Sequence, residues 1–443
     1  MKTKKALYLV GGILLAAALI VGLYFGVQAL KNKTAQHTPS SAADSTSAVN
    51  DATDTKPVDT GETPLVTSDA AAATEPLEYP EEMEAVKAKE VYTVDELQSD
   101  DPRLDLTVAS CEDSSITNRQ AQIYYLLQFY SFMREYGDYA EMFGLDPTKA
   151  LSEQPSLAGD LTWEQYFLMA GMQQYQQYAA VYAEAEAQGY QITAEEAEKL
   201  SGLRDSMEKE ATQYGYESVD AYIQASFGPG VRYADYEAYL EVYFKAMSYE
   251  NHLYESISCT EQDLKDYLAA HPDEFEDSDT ETPNINVRHI LISSDADGDG
   301  ETTEEERAAA QAKAEELLAG VRANLTEEYF AELAKENSDD PGSKNNGGLY
   351  EEVYPGQMVA AFNDWCFAKE RKPGDVDVVE TSYGFHVMYF VKQTDSYHWR
   401  AVAEDNLKSE TMDKLLQDII SPAKLTVNYK DLILAPIPLG EEE

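Results

Sequence analysis

The chain opens on an almost uninterrupted apolar run from Ala6 to Leu30, with only Gln28 clearly polar, behind Lys2, Lys4 and Lys5. As a helix this run is long enough to cross a hydrocarbon core of roughly 30 Å, so it predicts an N-terminal membrane anchor over residues 1–33. A cleaved signal peptide is the competing reading, because Val27-Gln28-Ala29 offers a small-residue cleavage site. The run is longer than the usual apolar segment of a signal, which favours an uncleaved anchor. From Thr34 to about Glu84 the pattern dissolves into Ser, Thr, Ala, Asp and Pro. Such a stretch buries too little apolar surface to offset its ordering entropy, and residues 34–90 are expected to form a disordered linker.

Helical periodicity holds over residues 91–283. Ile123, Leu127 and Tyr130, with Leu126 and Met133 widening the face, predict a helix from Asn118 to Tyr136. A second begins at Thr162 and carries Trp163, Tyr166, Met169, Met172 and Tyr175. Thr193 with Glu196, and Thr260 with Asp263, have the spacing of capping boxes. The period then changes: Val287 to Ile292 and Tyr383 to Val391 are apolar runs that read as strands, each with one histidine, His289 and His386. Beyond them a helix is expected from about His398 to Ile420, and the alternation from Ala423 to Tyr429 predicts a strand. The fold class is α+β.

Between the two histidines lie Ser338-Asp339-Asp340-Pro341-Gly342-Ser343, Gly347-Gly348, Gly356-Gln357-Met358 with Phe362, and the turn Pro373-Gly374, followed by Thr381 and Gly384. This order of motifs resembles the parvulin family of peptidyl-prolyl isomerases. The resemblance implies a domain over 284–395 with a four-stranded antiparallel sheet and surrounding helices. It further implies isomerisation of X-Pro peptide bonds with no cofactor required, on unfolded or newly exported polypeptides. The helical stretch from Tyr214 to Tyr254, broken at Phe227-Gly228-Pro229-Gly230, resembles the PrsA/SurA-type extracytoplasmic foldases. That likeness implies a chaperone domain over 91–283, completed by residues 396–443, with the isomerase domain inserted between them. The alternative is a catalytically inactive holdase, because Leu349-Tyr350-Glu351-Glu352-Val353 stands where relatives continue Gly-Gly with Asp-Leu-Gly-aromatic.

The resemblance assigns roles residue by residue. His289, His386 and Thr381 would form a hydrogen-bonded floor, and Asp340 would stand beside the reacting carbonyl; a plain Asp-Pro-Gly turn is the alternative for Asp340. Met358 and Phe362, one helical turn apart, would wall a slot for the proline ring, with Gln357 and Tyr383 at its edge. Ordinary helix core is the competing account of the two apolar residues. Ser343, Gly347 and Gly348 would shape the loop.

Charge and cysteines narrow the picture. The 443 residues include 82 acidic and 33 basic ones, a net charge of -49, which repels phosphate backbones and excludes nucleic-acid binding. Asp295, Asp297, Asp299, Glu301 and Glu306 fit the ligand spacing of a calcium loop, though a strand precedes them where an EF-hand has a helix. Glu306 as a helix cap with Thr303 is the rival reading. Cys111, Cys259 and Cys366 are too few for a disulfide framework; Cys366 reads as core and the pairing of the other two stays open. The expected location is a single-pass cell-membrane protein with a cytoplasmic N-terminus and its bulk outside. Whether the helical domain forms a homodimer is not fixed by the pattern.

Overall fold

The computed structural model describes residues 80–437 apart from 158, 276 and 277. The expected anchor at 6–30 and the linker up to residue 79 lie outside the described residues; among those described, no helix is long and apolar enough to cross a membrane. In chain order the elements begin with α1 (Pro80–Lys87), β1 (Thr107–Cys111), β2 (Ser114–Thr117), α2 (Asn118–Tyr136), α3 (Trp163–Ala187), α4 (Ala194–Gln213), α5 (Val219–Phe227) and α6 (Tyr233–Ser256). They continue with α7 (Glu261–Ala270), β3 (Ile285–Ser293), α8 (Glu304–Ala323), α9 (Glu327–Asn337), β4 (Leu349–Val353) and α10 (Ala360–Cys366). Then come β5 (Val376–Thr381), β6 (Gly384–Gln393), α11 (His398–Ile420) and β7 (Thr426–Val427). Of these, residues 80–257 with 410–437 make one compact unit and 258–409 a second.

The first unit is mostly helical, and its helices bury apolar stripes in one shared core. Phe132, Trp163 and Phe167 interlock with ring centroids 5.1 to 5.7 Å apart. Met169, Met172 and Tyr175 are at most 1% exposed, so these residues fill core rather than line a surface. The capping boxes at Thr193 and Thr260 form as their spacing requires. α1 falls within the expected linker 34–90: Val86 is fully buried in the helical core, which gives residues 80–87 an apolar contact.

The C-terminal tail adds the third strand of the sheet β2-β1-β7. Only Thr426 and Val427 pair, with Ser110 and Ala109, so the strand is shorter than the alternation implies. The tail then turns onto α2, where buried Asn118 and Gln122 accept hydrogen bonds of 2.9 Å from the backbone N–H groups of Ile433 and Ala435. These two side chains satisfy amides that no strand partner reaches.

The second unit is built on an antiparallel sheet ordered β4-β3-β6-β5. Side chains alternate across it, and the alternation feeds two cores. Ile290, Ile292, Phe385, Val387 and Tyr389 pack under α8 and α9 with Leu317, Leu318 and Phe330. Val287, Met388 and Phe390 face the other way, with Tyr350, Phe362, Trp365 and Cys366. The segments leading into and out of the sheet run side by side, Asn284 N donating to Ser396 O at 2.9 Å and Thr394 N to Asn284 O at 2.8 Å. This unit extends beyond 284–395 because α7 and the start of α11 share a satellite core of Leu264, Tyr267, Phe275, Trp399 and Ala403. Cys111, Cys259 and Cys366 are all free, Cys366 buried as its apolar context predicts.

Candidate active site

β3 and β6 are the two central strands, and their register pairs His289 with Met388 and Leu291 with His386. The histidines are therefore diagonal neighbours on one face, close enough for side chains to meet. Their Nδ1 atoms lie 3.0 Å apart and their rings stack with centroids at 5.2 Å. Phe362 stands edge-on to both imidazoles, 5.5 Å from each. His289, His386 and Phe362 are 3 to 5% exposed, so this is a floor sealed from water.

The loop after α9 delivers the remaining polar groups because it is laced to β3. Asp339 N donates to Leu291 O at 2.8 Å, and Asp339 Oδ2 accepts from Ser293 N at 3.0 Å. That lacing places Asp340 Oδ2 2.9 Å and Ser343 Oγ 3.0 Å from His289 Nε2. Ser343 donates its hydroxyl and its backbone N–H to Asp340 Oδ2, while Gly342 N donates to Oδ1. At the far end of the pair, Thr381 Oγ1 is 2.8 Å from His386 Nε2 and accepts from Tyr383 N.

Burial alone would push the Asp340 carboxyl up, but hydrogen bonds from His289 and Ser343 and the His289 charge together hold it well below the usual carboxylate range. Burial, reinforced by the His289 charge and opposed by Asp340, lowers the His386 pKa to about 3. His386 is thus neutral, with one ring proton. On Nδ1 that proton is donated to His289; on Nε2 it is donated to Thr381, and His289 donates to Nδ1 in turn. On the other side of His289, Nε2 faces the Asp340 carboxylate, which only accepts.

This geometry limits the chemistry. The two Nδ1 atoms are within hydrogen-bond distance of each other. Ser343 and Asp340 meet the same nitrogen of His289, whereas a nucleophilic triad sets its carboxylate and its nucleophile on opposite nitrogens. Ser343 is also fully buried, and burial pushes the Cys366 thiol up to about 12. What the geometry presents is a polar floor beside an apolar cluster. Replacing Thr381 by Val should leave His386 Nε2 without its partner and cost about 1 to 3 kcal/mol, read as a lower urea midpoint.

The structure brings His289, His386, Asp340 and Thr381 together as expected. It corrects the helical pairing of Met358 with Phe362. α10 starts at Ala360 after an extended Val359, so Met358 precedes the helix, although both side chains join one cluster. Phe362 is buried against the imidazoles, whereas Met358 is half-buried and Val359 is 41% exposed. Tyr383 is 62% exposed. Gln357 Oε1 accepts from Tyr354 N at 3.2 Å, closing its own turn. Asp295, Asp297 and Asp299 place carboxylate oxygens within 4.8 Å of one another, whereas Glu306 caps α8 by accepting from Thr303 N at 2.9 Å. The carboxylates of Asp295, Asp297 and Asp299 accept hydrogen bonds from the loop's own amides.

Two participants were not legible as such. Ser343 reads as a loop former, yet its hydroxyl lies between His289 and Asp340. Tyr350 donates its hydroxyl to Asp340 Oδ2 at 3.0 Å from β4. The available signal was its place two residues after Gly-Gly, where strand alternation carries its side chain to the histidine face.

Comparison with known proteins places the same segment. The family described as the PPIC-type PPIASE domain matches residues 274–394. Foldase protein PrsA 1 of Listeria monocytogenes serotype 4b (strain F2365) is 31% identical over 113 residues, 24% of this chain and 38% of the relative. Foldase protein PrsA of Geobacillus sp. (strain WCH70) is 36% identical over 123 residues, 27% of this chain and 42% of the relative. The chain thus spans less than half the length of these curated relatives. The crystal structure of PrsA from Bacillus subtilis aligns at 22% identity over 62% of this chain and 94% of that chain, with a TM-score of 0.28.

Proposed function

We propose that this chain is a foldase held at the membrane by residues 6–30, with its bulk outside the cytoplasm, and that its 258–409 unit isomerises X-Pro bonds in newly exported polypeptides. The observation that carries this reading is the buried His289–His386 pair, tied to Asp340 and Thr381 beneath Met358 and Phe362, within the segment that matches the PPIase domain.

Rotation about an amide has a barrier of roughly 18 to 20 kcal/mol because it destroys C–N double-bond character. No bond need break. The catalyst must bind the twisted peptide better than either planar form, which requires groups already fixed in place before the substrate arrives. The apolar surface at Met358 and Val359 grips the proline ring. The floor beneath it contributes rigidity, since each imidazole nitrogen already has a partner and cannot reorient.

A proline-peptide isomerisation assay on the full chain tests this. The parent is expected to accelerate exchange, and Met358→Ala to lower kcat/KM by about tenfold through loss of apolar contact with the ring. Equal rates with parent, variant and buffer would remove the isomerase and leave a holdase. That second reading is favoured by one observation, that both oxygens of Asp340 already accept hydrogen bonds from within the chain.

A further inference from the structure

The second residue after Gly348, Tyr350, reaches the floor. Tyr350 is 7% exposed, its ring lies 5.3 Å from that of His289, and its hydroxyl is 3.0 Å from Asp340 Oδ2. Gly342 makes room for it: a Cβ there would stand 3.2 Å from the phenol oxygen. From the geometry we infer that Tyr350 is a positioning residue of this site, fixing the Asp340 carboxylate, and through it His289, by donating a third side-chain hydrogen bond to the same oxygen.

The donors converge from different elements. His289 approaches from β3, Ser343 from the loop itself and Tyr350 from β4. Without the phenol, Asp340 is held by its own loop and by one histidine alone. With it, the carboxylate is gripped from the strand on the opposite side. Burial, and then the Asp340 charge, raise the Tyr350 pKa, so the phenol keeps its proton and stays a donor. Tyr350 thus adds a contact from β4 to the floor. This inference rests on the isomerase reading and says which residue holds its carboxylate still.

A double-mutant cycle on the full chain tests it, with Tyr350→Phe and Asp340→Ala singly and together, read in kcat and KM for a proline peptide. Tyr350→Phe keeps the ring and should lower kcat by roughly ten- to hundredfold, the range for losing one hydrogen bond to a charged group, with KM within about twofold. In the Asp340→Ala background the same change should have no further effect, because its partner is gone. Gly342→Ala, whose Cβ would stand 3.2 Å from the phenol oxygen and 3.4 Å from Asp340 Oδ1 without deleting any bonding group, should lower kcat in the parent and not beside Asp340→Ala. An equal loss in both backgrounds, or a loss carried by KM, would overturn the inference. If the parent has no isomerase activity, it is the parent reading that falls. The cycle read in urea midpoints then decides the tie by itself, additive midpoints removing it.

Discussion

Taking the chain from pH 6.5 to pH 3 should strip the 258–409 unit of stability on the order of 4 to 5 kcal/mol through one imidazole, the worth of a pKa lowered by that interval. Burial and then the charge of His289 take the pKa of His386 from the ordinary 6.5 to about 3. Above pH 6.5 the ring is neutral in the folded and unfolded chains alike, and its full contribution is present. Between the two values the unfolded chain binds a proton that the folded one refuses, so stability falls as pH falls. The Asp340 carboxyl, held down by its hydrogen bonds, works in the same direction in a lower window, from its ordinary 3.8 downward.

The measurement is the urea midpoint against pH, followed by fluorescence of Trp365 and Trp399 in a Trp163→Phe background that silences the tryptophan of the helical unit. His386→Gln keeps hydrogen-bonding groups at the site and removes the titration. In it the fall should shrink to what other groups supply, among them His398, whose pKa burial also lowers. The same fall in parent and variant would take the effect away from His386.

Gly348→Ala is the second change with a large expected effect, a loss of more than about 4 kcal/mol in the same unit. Gly348 has φ +74°, and a Cβ built on it would stand 2.1 Å from the carbonyl oxygen of His289. That neighbour is backbone, and Gly348 O accepts from His289 N at 2.8 Å, so the two chains cannot part without breaking the strand that carries the histidine. Gly356→Ala is the control. It has φ +89° with nothing within 4 Å of the added Cβ, so only the backbone preference is lost, about 1 kcal/mol. Thermal unfolding of the two variants separates collision from conformational preference. A Gly348→Ala chain no less stable than Gly356→Ala would show that the loop can move off β3.

Local pattern carried much of the architecture. The limits of α2 and α11 coincide with the expected Asn118–Tyr136 and His398–Ile420, because each has a continuous apolar stripe and each end falls where that stripe stops. The central strands were visible because runs buried on both faces leave few polar residues between Val287 and Ile292, or between Phe385 and Val391. Met358 was misread for a local reason. A spacing of four residues is helical only if the intervening backbone is, and the extended Val359 breaks it.

By itself the sequence determined where the long helices and the central strands lie, which residues carry polar chemistry, and that 284–395 resembles the parvulin order of motifs. Those properties depend on short-range spacing and burial, which one chain segment records unaided. Tertiary structure alone decided that Tyr350 and Ser343 converge on Asp340, that Phe362 seals the imidazoles, and that Asn118 and Gln122 hold the returning tail. Each of these is a contact between residues brought together only by strand register or by the path of a loop. Such distances are set by the packing of the whole unit and leave no periodic trace in the order of residues.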